Sequence, residues 1–273
     1  CHAFATTGTG GFSTKQASIE YYHSPYIEYV ISIFMFVSGI NFTLLLLFVN
    51  GKFRKFIHDA ELKWYLWSVI GFTAFIAIVL YYNSSMGVEE AFRKSLFQVA
   101  SLHTSTGFAT ADYMTWPSVL WGTLTVIMII GACAGSTTGG MKCIRLLILA
   151  KISRNEFKHI THPNAVLPVR VNKQVISPSI RSTVLAFSFL YAVLIIVGTL
   201  AMMGMGVGLL ESLGCTISSL GNMGPGLGLC GPAYSWNELP DMGKWLMSFF
   251  MLLGRLELFT VLLLFSSDFW KKN

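Results

Sequence analysis

Three short stretches of this 273-residue chain offer the same chemistry. They read TTGTGGFST (6–14), HTSTGFATADY (103–113) and SLGNMGPGLG (219–228), small and hydroxylated residues gathered around glycine. What such residues present is backbone. A glycine lets the chain turn its carbonyls to one side without a Cβ clash, and carbonyls turned together replace the hydration shell of a cation. Aligning the stretches puts Gly10, Gly107 and Gly224 in register. The first stretch admits a second register, because Gly11 precedes Phe12 as Gly107 precedes Phe108. The working alignment is the one through Gly10.

Such turns need elements to hold them. The chain is 53% hydrophobic and only 12% charged, with mean hydropathy +0.61, far from the roughly 25% charged expected of a soluble domain. It reads as an all-α polytopic membrane protein. Continuous spans are expected at 28–50, 64–82, 183–203 and 245–265, and an interrupted one at 116–150. Trp64, Trp67, Trp116, Trp121, Trp245 and Trp270 stand near span ends, where an interfacial belt would place them. The second and third glycine turns each follow a short amphipathic stretch. Non-helical backbone at membrane depth must be buried in protein or line water, so each unit reads as helix, re-entrant loop, helix. The short helix would enter from outside with its partly negative C-terminus inward, and Glu89 and Glu90 sit at the start of one.

Charge sets the orientation. Lys52, Arg54, Lys55 and Lys63 lie in one connection; Lys142, Arg145, Lys151, Arg154, Lys158, Arg170, Lys173 and Arg181 lie in the stretch 142–182; the tail carries Lys271 and Lys272. The opposite side carries most of the acids, so the basic connections are cytoplasmic. The net charge of +6 is thereby topological, and nucleic acid is excluded as a partner. Basic residues at the inner surface are in reach of anionic membrane lipid or a soluble protein, and the sequence does not separate these. The five cysteines match neither a zinc site nor a disulfide framework. Only Cys215 and Cys230 can share a compartment outside the bilayer, and no bond between them is expected. No metal other than a transported cation is expected, and no bound cofactor.

The interrupted span holds GACAGSTTGGMKCIR (131–145). It lacks the GxxxxGK[ST] order of a phosphate loop, and Ser136 lacks the frame of a nucleophile elbow, so an enzyme is not expected. In the last span, GRLELFT (254–260) places Arg255 and Glu257 two apart on a helix. Residues so spaced do not meet, and at least one needs a partner elsewhere. His103 reads as packed behind a turn, and His159 and His162 as part of a solvated cytoplasmic loop.

Taken together, TTGTGGFST, HTSTGFATADY, SLGNMGPGLG, GACAGSTTGGMKCIR and GRLELFT resemble, in order, the motifs of the TrkH/KtrB family of bacterial potassium transporters. The resemblance covers essentially the whole chain. It implies a potassium-channel-like fold of helix, pore loop and helix repeats, of which this chain resembles the end of the second and all of the third and fourth. The divisions would be 1–50, 51–63 as a linker, 64–158, 159–182 as a linker, and 183–273. The N-terminal half of the family's protein is expected to be missing. The resemblance further implies potassium uptake across the bacterial cytoplasmic (inner) membrane, with a potassium filter at Gly8, Thr9, Gly10, Ser105, Thr106, Gly107, Asn222, Met223 and Gly224. Beneath it would lie a gate of Gly135, Ser136, Thr137, Thr138, Gly139, Gly140, Lys142 and Arg255, while Glu257 anchors neighbouring helices. The implied partners are a second copy of the protein and a cytosolic TrkA-like nucleotide-binding subunit. One shared glycine per turn suggests modest discrimination between potassium and sodium; the alternatives are a cation transporter of low selectivity and a non-conducting membrane scaffold.

Overall fold

The computed structural model describes residues 1–165 and 167–271, and the expected Lys272 lies outside them. Helices dominate, arranged as three units of one design. In the first, α1 (His2–Thr7) leads through a turn to α2 (Pro25–Ser38) and α3 (Phe42–Val49). A linker helix, α4 (Phe53–Ile57), precedes the second unit: α5 (Ala60–Asn83), α6 (Val88–His103), α7 (Ser118–Ile130) and α8 (Cys143–Thr161). A hairpin of β1 (Arg170–Val171) and β2 (Gln174–Val175) connects to the third: α9 (Pro178–Gly204), α10 (Leu209–Gly221), α11 (Asp241–Arg255) and α12 (Leu258–Leu263).

The two outer helices, α5 and α9, have 24 and 27 residues and are long and apolar enough to cross a membrane. Both start on a side-chain cap: Asp59 accepts from the Leu62 amide at 2.8 Å, and Ser177 accepts from Ile180 at 3.3 Å. Each ends in a short turn closed by a glycine of nearly identical conformation, Gly87 at φ −65°, ψ 159° and Gly208 at φ −59°, ψ 158°. The chain then doubles back as α6 and α10, with Glu89 and Glu90, and Glu211, in their first turns. Both helices are buried through their last two turns, polar residues included: Gln98, Ser101 and His103 on one, Thr216, Ser218 and Ser219 on the other. His103 is indeed packed, its Nε2 2.8 Å from the Ser68 hydroxyl and its ring edge-on to Tyr65.

Two of the spans expected to be continuous are broken. The 28–50 segment bends by 101° between α2 and α3. Asn41 starts the new helix by accepting from the Thr43 amide at 2.8 Å, while Gly39 lies against the Tyr65 hydroxyl and the Thr104 methyl. The 245–265 segment breaks at Leu256 and Glu257, the latter at φ +66°, a conformation that ends a helix. With the interrupted 116–150 segment, every unit's second helix is therefore split. The second half begins 17 residues after the first in the outer units, Pro25 to Phe42 and Asp241 to Leu258, and 25 after it in the middle unit, Ser118 to Cys143. The spacing between half-helices in the middle unit is thus eight residues longer than in the other two, 25 against 17.

Three smaller expectations also change. Cys215 and Cys230 are bonded, tying α10 to the outer loop that follows it; a separation of 15 residues carries no sign that the loop folds back on its own helix. The cytoplasmic connection holds a hairpin turned by Asn172 and Lys173, both at positive φ (49° and 67°). The Asn172 side chain accepts from the Ala60 amide at 2.8 Å and donates to Asp59 at 2.6 Å, which pins the hairpin to the start of α5. His159 belongs to α8 and so is not in a loop, whereas His162 is the residue that caps the helix, at the start of the cytoplasmic connection.

One core joins α5, α6 and α7 through the fully buried Tyr65, Leu102, Leu120, Leu124 and Ile127; another joins α9, α10 and α11 through Met202, Leu220 and Leu253. Small residues let membrane helices approach closely. Gly198 of α9 is such a contact, because a Cβ there would enter the Phe250 ring and the Thr216 methyl. Gly71 of α5 has open space around it. Gly198→Leu should destabilise the detergent-purified protein by about 1–3 kcal/mol through overpacking, read as a lower melting temperature, while Gly71→Leu leaves it unchanged. Equal melting temperatures would refute the close α9–α11 contact.

Candidate functional site

The three glycine turns are one structure built three times. Gly10 donates its amide to Ala5 O at 2.8 Å, Thr106 to Ser101 O at 2.9 Å, and Met223 to Ser218 O at 3.0 Å. Each bond reaches five residues back and caps the end of an inward-pointing helix. The residue before each donor is left-handed, Thr9 at φ 49°, Ser105 at 50° and Asn222 at 53°. The residue after it is a glycine at positive φ, Gly11 at 64°, Gly107 at 82° and Gly224 at 95°. The register is therefore Thr9-Gly10-Gly11 with Ser105-Thr106-Gly107 and Asn222-Met223-Gly224. Gly11, not Gly10, matches Gly107 and Gly224. Gly10 occupies the middle position, and Gly8 sits at the C-cap of α1, outside the three-residue turn.

The turns lie edge to edge. A Cβ on Gly11 would strike the carbonyl oxygen of Thr106, and one on Gly107 that of Met223. Gly11 and Gly107 thus each abut the middle carbonyl of the next turn, where only the absence of a side chain permits the approach, while Gly224 has open space beside it. Among the described residues, the carbonyls of Gly10, Thr106 and Met223 accept no hydrogen bond. The Gly224 carbonyl is occupied, accepting from the Ser218 hydroxyl and the Trp236 indole, both at 3.1 Å. Gly224 thus supplies a torsion to the turn. Three carbonyls without hydrogen-bond donors thus stand at the partly negative ends of three short helices, the chemistry that a cation would use.

The break of the middle unit lies directly against these turns. Gly139 donates its amide to the Ser105 hydroxyl at 2.7 Å and passes so close to the Gly221 carbonyl that a Cβ would not fit. Arg255 Nη1 donates to Thr137 O at 2.7 Å, and Lys142 Nζ to Thr138 O at 2.5 Å. The Ser136 hydroxyl stands 2.8 Å from that of Thr138. On the far side, the Gly135 carbonyl accepts from the Phe42 amide at 3.0 Å, and the Asn41 side chain packs on Gly135. The loop is held by all three units, at the broken point of each. Arg255 and Glu257 do not pair; Glu257 takes Arg145 Nη2 at 2.6 Å, joining the start of α12 to that of α8. The Arg145 guanidinium also covers the Phe187 ring at 3.9 Å. A polar cavity of about 260 Å³ remains between Ser136, Thr138, Lys142, Arg145, Arg255 and Glu257.

Two contributors escape sequence reasoning. Glu61, buried near the start of α5, accepts from the Ala134 amide at 2.6 Å; an acid in the first turn of a helix gives no hint of a contact 73 residues away. Asn41 had a signal, being a polar residue within an apolar run.

The family model for TrkH, a cation transport protein, matches residues 1–272. The chain belongs to the TrkH family. It is 36% identical over 277 residues to the Trk system potassium uptake protein TrkH of Escherichia coli K12, covering 99% of this chain and 56% of that protein. Against the protein of the same name from Halomonas elongata it is 35% identical over 274 residues, again covering 56% of the relative. The crystal structure of the potassium transporter TrkH from Vibrio parahaemolyticus superposes with a TM-score of 0.93 at 34% identity, over 99% of this chain and 58% of that one. The chain spans about half the length of the curated relatives it matches. The relatives named here are transport proteins by name, in keeping with a chain in which no enzyme motif was found.

The register has a direct check. In the full-length TrkH-family protein, Gly11→Ala adds about 1–3 kcal/mol of backbone strain at its positive φ and a collision with Thr106 O, whereas Gly10→Ala meets only the Phe12 ring. Gly11→Ala should lower the melting temperature far more than Gly10→Ala. The reverse order would restore the alignment through Gly10.

Proposed function

We propose that this chain forms most of a potassium-uptake pore in the bacterial inner membrane. Potassium enters from the outer side, sheds water onto the carbonyls of Gly10, Thr106 and Met223, and passes toward the cytoplasm when the 131–142 loop moves aside. The observation that supports this most is the row of abutting turns whose middle carbonyls accept no hydrogen bond. The names of the relatives point to the same ion. A further turn from the rest of the full-length protein would close the ring.

The loop acts as the gate in this reading, and Arg255 as its latch. A guanidinium bonded to Thr137 O both fixes the loop across the path and places a positive charge where a cation must pass. Opening requires that bond to break together with the Gly139 to Ser105 bond. Energy for this would come from a cytosolic nucleotide-binding subunit of the TrkA type acting on the cytoplasmic helices, in a homodimer of the full-length protein. No cofactor takes part within this chain. One glycine-centred turn per unit gives a short filter, so selectivity over sodium is modest.

Expression of the full-length protein in a bacterium lacking potassium-uptake systems should restore growth at low potassium. Good membrane expression without growth would sink the proposal. For the latch, Arg255→Ala should raise rubidium flux into proteoliposomes several-fold, because it removes both a barrier charge and the bond to Thr137. Flux that is unchanged or lower would count against the role given to Arg255.

A further inference from the structure

The cytoplasmic side holds an unexplained concentration of charge. A groove of about 1020 Å³ opens between the end of α3, the linker helix α4 and the β1–β2 hairpin. Lys52, Arg54, Lys55 and Lys173 line it. None of the four has a carboxylate within ion-pair distance among the described residues, whereas Arg93, Lys94, Arg145 and Lys244 each have one. The acid that lines the groove, Asp59, is already engaged by the Leu62 amide and the Asn172 side chain. Four like charges gathered around one space repel each other and call for an anion.

The other wall indicates which anion. Leu44 and Leu47 of α3 and Phe53 of α4 line the same groove. They continue into an exposed apolar surface, with Leu46 61% and Val49 80% exposed, at the end of a helix that belongs to a broken membrane span. Basic and aromatic residues alternate through this linker as in segments that lie in the membrane interface. An acidic peptide would answer the charge and leave the apolar wall in water. A molecule with a phosphate at one end and acyl chains at the other answers both.

We propose that this groove is a binding site for an anionic phospholipid of the cytoplasmic leaflet. Its phosphate sits among Lys52, Arg54, Lys55 and Lys173, and its chains run along Leu44, Leu47 and Phe53. The site stands apart from the ion path and does not depend on which ion is carried.

Native mass spectrometry of the full-length protein, extracted with equal phosphatidylglycerol and phosphatidylcholine, tests this. The wild-type protein should retain phosphatidylglycerol at least tenfold in preference. The triple variant Lys52→Gln, Arg54→Gln, Lys55→Gln should lose that preference, and a control pair on α8, Arg154→Gln with Lys158→Gln, should keep it. Leu47→Gln, which leaves the charge intact, should also weaken retention, and soluble glycerol phosphate should not displace the lipid. The proposal falls if the triple variant retains phosphatidylglycerol as the wild type does, or if the wild type shows no preference. It falls equally if glycerol phosphate competes fully, which would make the site one for a free phosphate. Loss of an acidic cytosolic partner with lipid retention unchanged would assign the groove to that protein.

Discussion

Everything in this chain follows from one constraint: inside a bilayer, a backbone amide or carbonyl that leaves its helix has no water to turn to. Each unit leaves its helix twice, once at the glycine turn and once at the break in the following helix. These departures are tolerable only if they satisfy each other or face water, and the structure clusters them. Gly139 of the middle break donates to Ser105 of a turn; Arg255 at the third break bonds Thr137; Phe42 at the first break donates to Gly135. Among the turn carbonyls left without a donor are those of Gly10, Thr106 and Met223, which a cation would use.

The same constraint explains why the atoms that a cation would meet belong to backbone. Side-chain oxygens would have to be held against one another by further packing, whereas a turn capped five residues back has its direction set by the helix it ends. The hydroxyls nearby serve the turn: Ser101 donates to Phe108 O at 2.6 Å, and Thr104 stands 2.8 Å from Thr106. The charges are placed with equal economy. Arg93 on α6 joins Glu28 on α2 and Glu89 of its own helix at the outer end, clear of the turns, while Lys142 and Arg255 meet carbonyls and Arg145 meets Glu257.

Much of this was legible in the residues, for physical reasons that also mark where legibility ends. The glycine turns could be found because backbone conformation at positive φ leaves a compositional trace. The choice between Gly10 and Gly11 could not be made, since both are glycine and only the torsions tell them apart. The breaks at Asn41 and Glu257 were hidden because so few non-helical residues, among apolar neighbours, barely change a hydropathy average. The middle break was visible because its extra residues include Gly135, Ser136, Thr137 and Thr138. The Cys215–Cys230 bond and the Glu61 contact depend on which segments fold back on each other, which spacing alone does not encode.

The inequality among the three breaks carries the last step. Had the second half of the middle unit's helix begun 17 residues after the first, as in its neighbours, the 131–142 loop would be eight residues shorter. At its full length, from Gly131 to Lys142, the segment touches its own unit's glycine turn and both neighbouring breaks. A loop held by a few hydrogen bonds from three separate elements has little core of its own, and such segments open at low free energy. Its strongest ties are charged ones, from Arg255, Lys142 and Glu61, and two of the three come from other helices. Displacement of α5 or α11 would therefore pull on this loop, while α11 also reaches the third turn directly, through the bond from the Asn222 side chain to Met251 O at 3.1 Å.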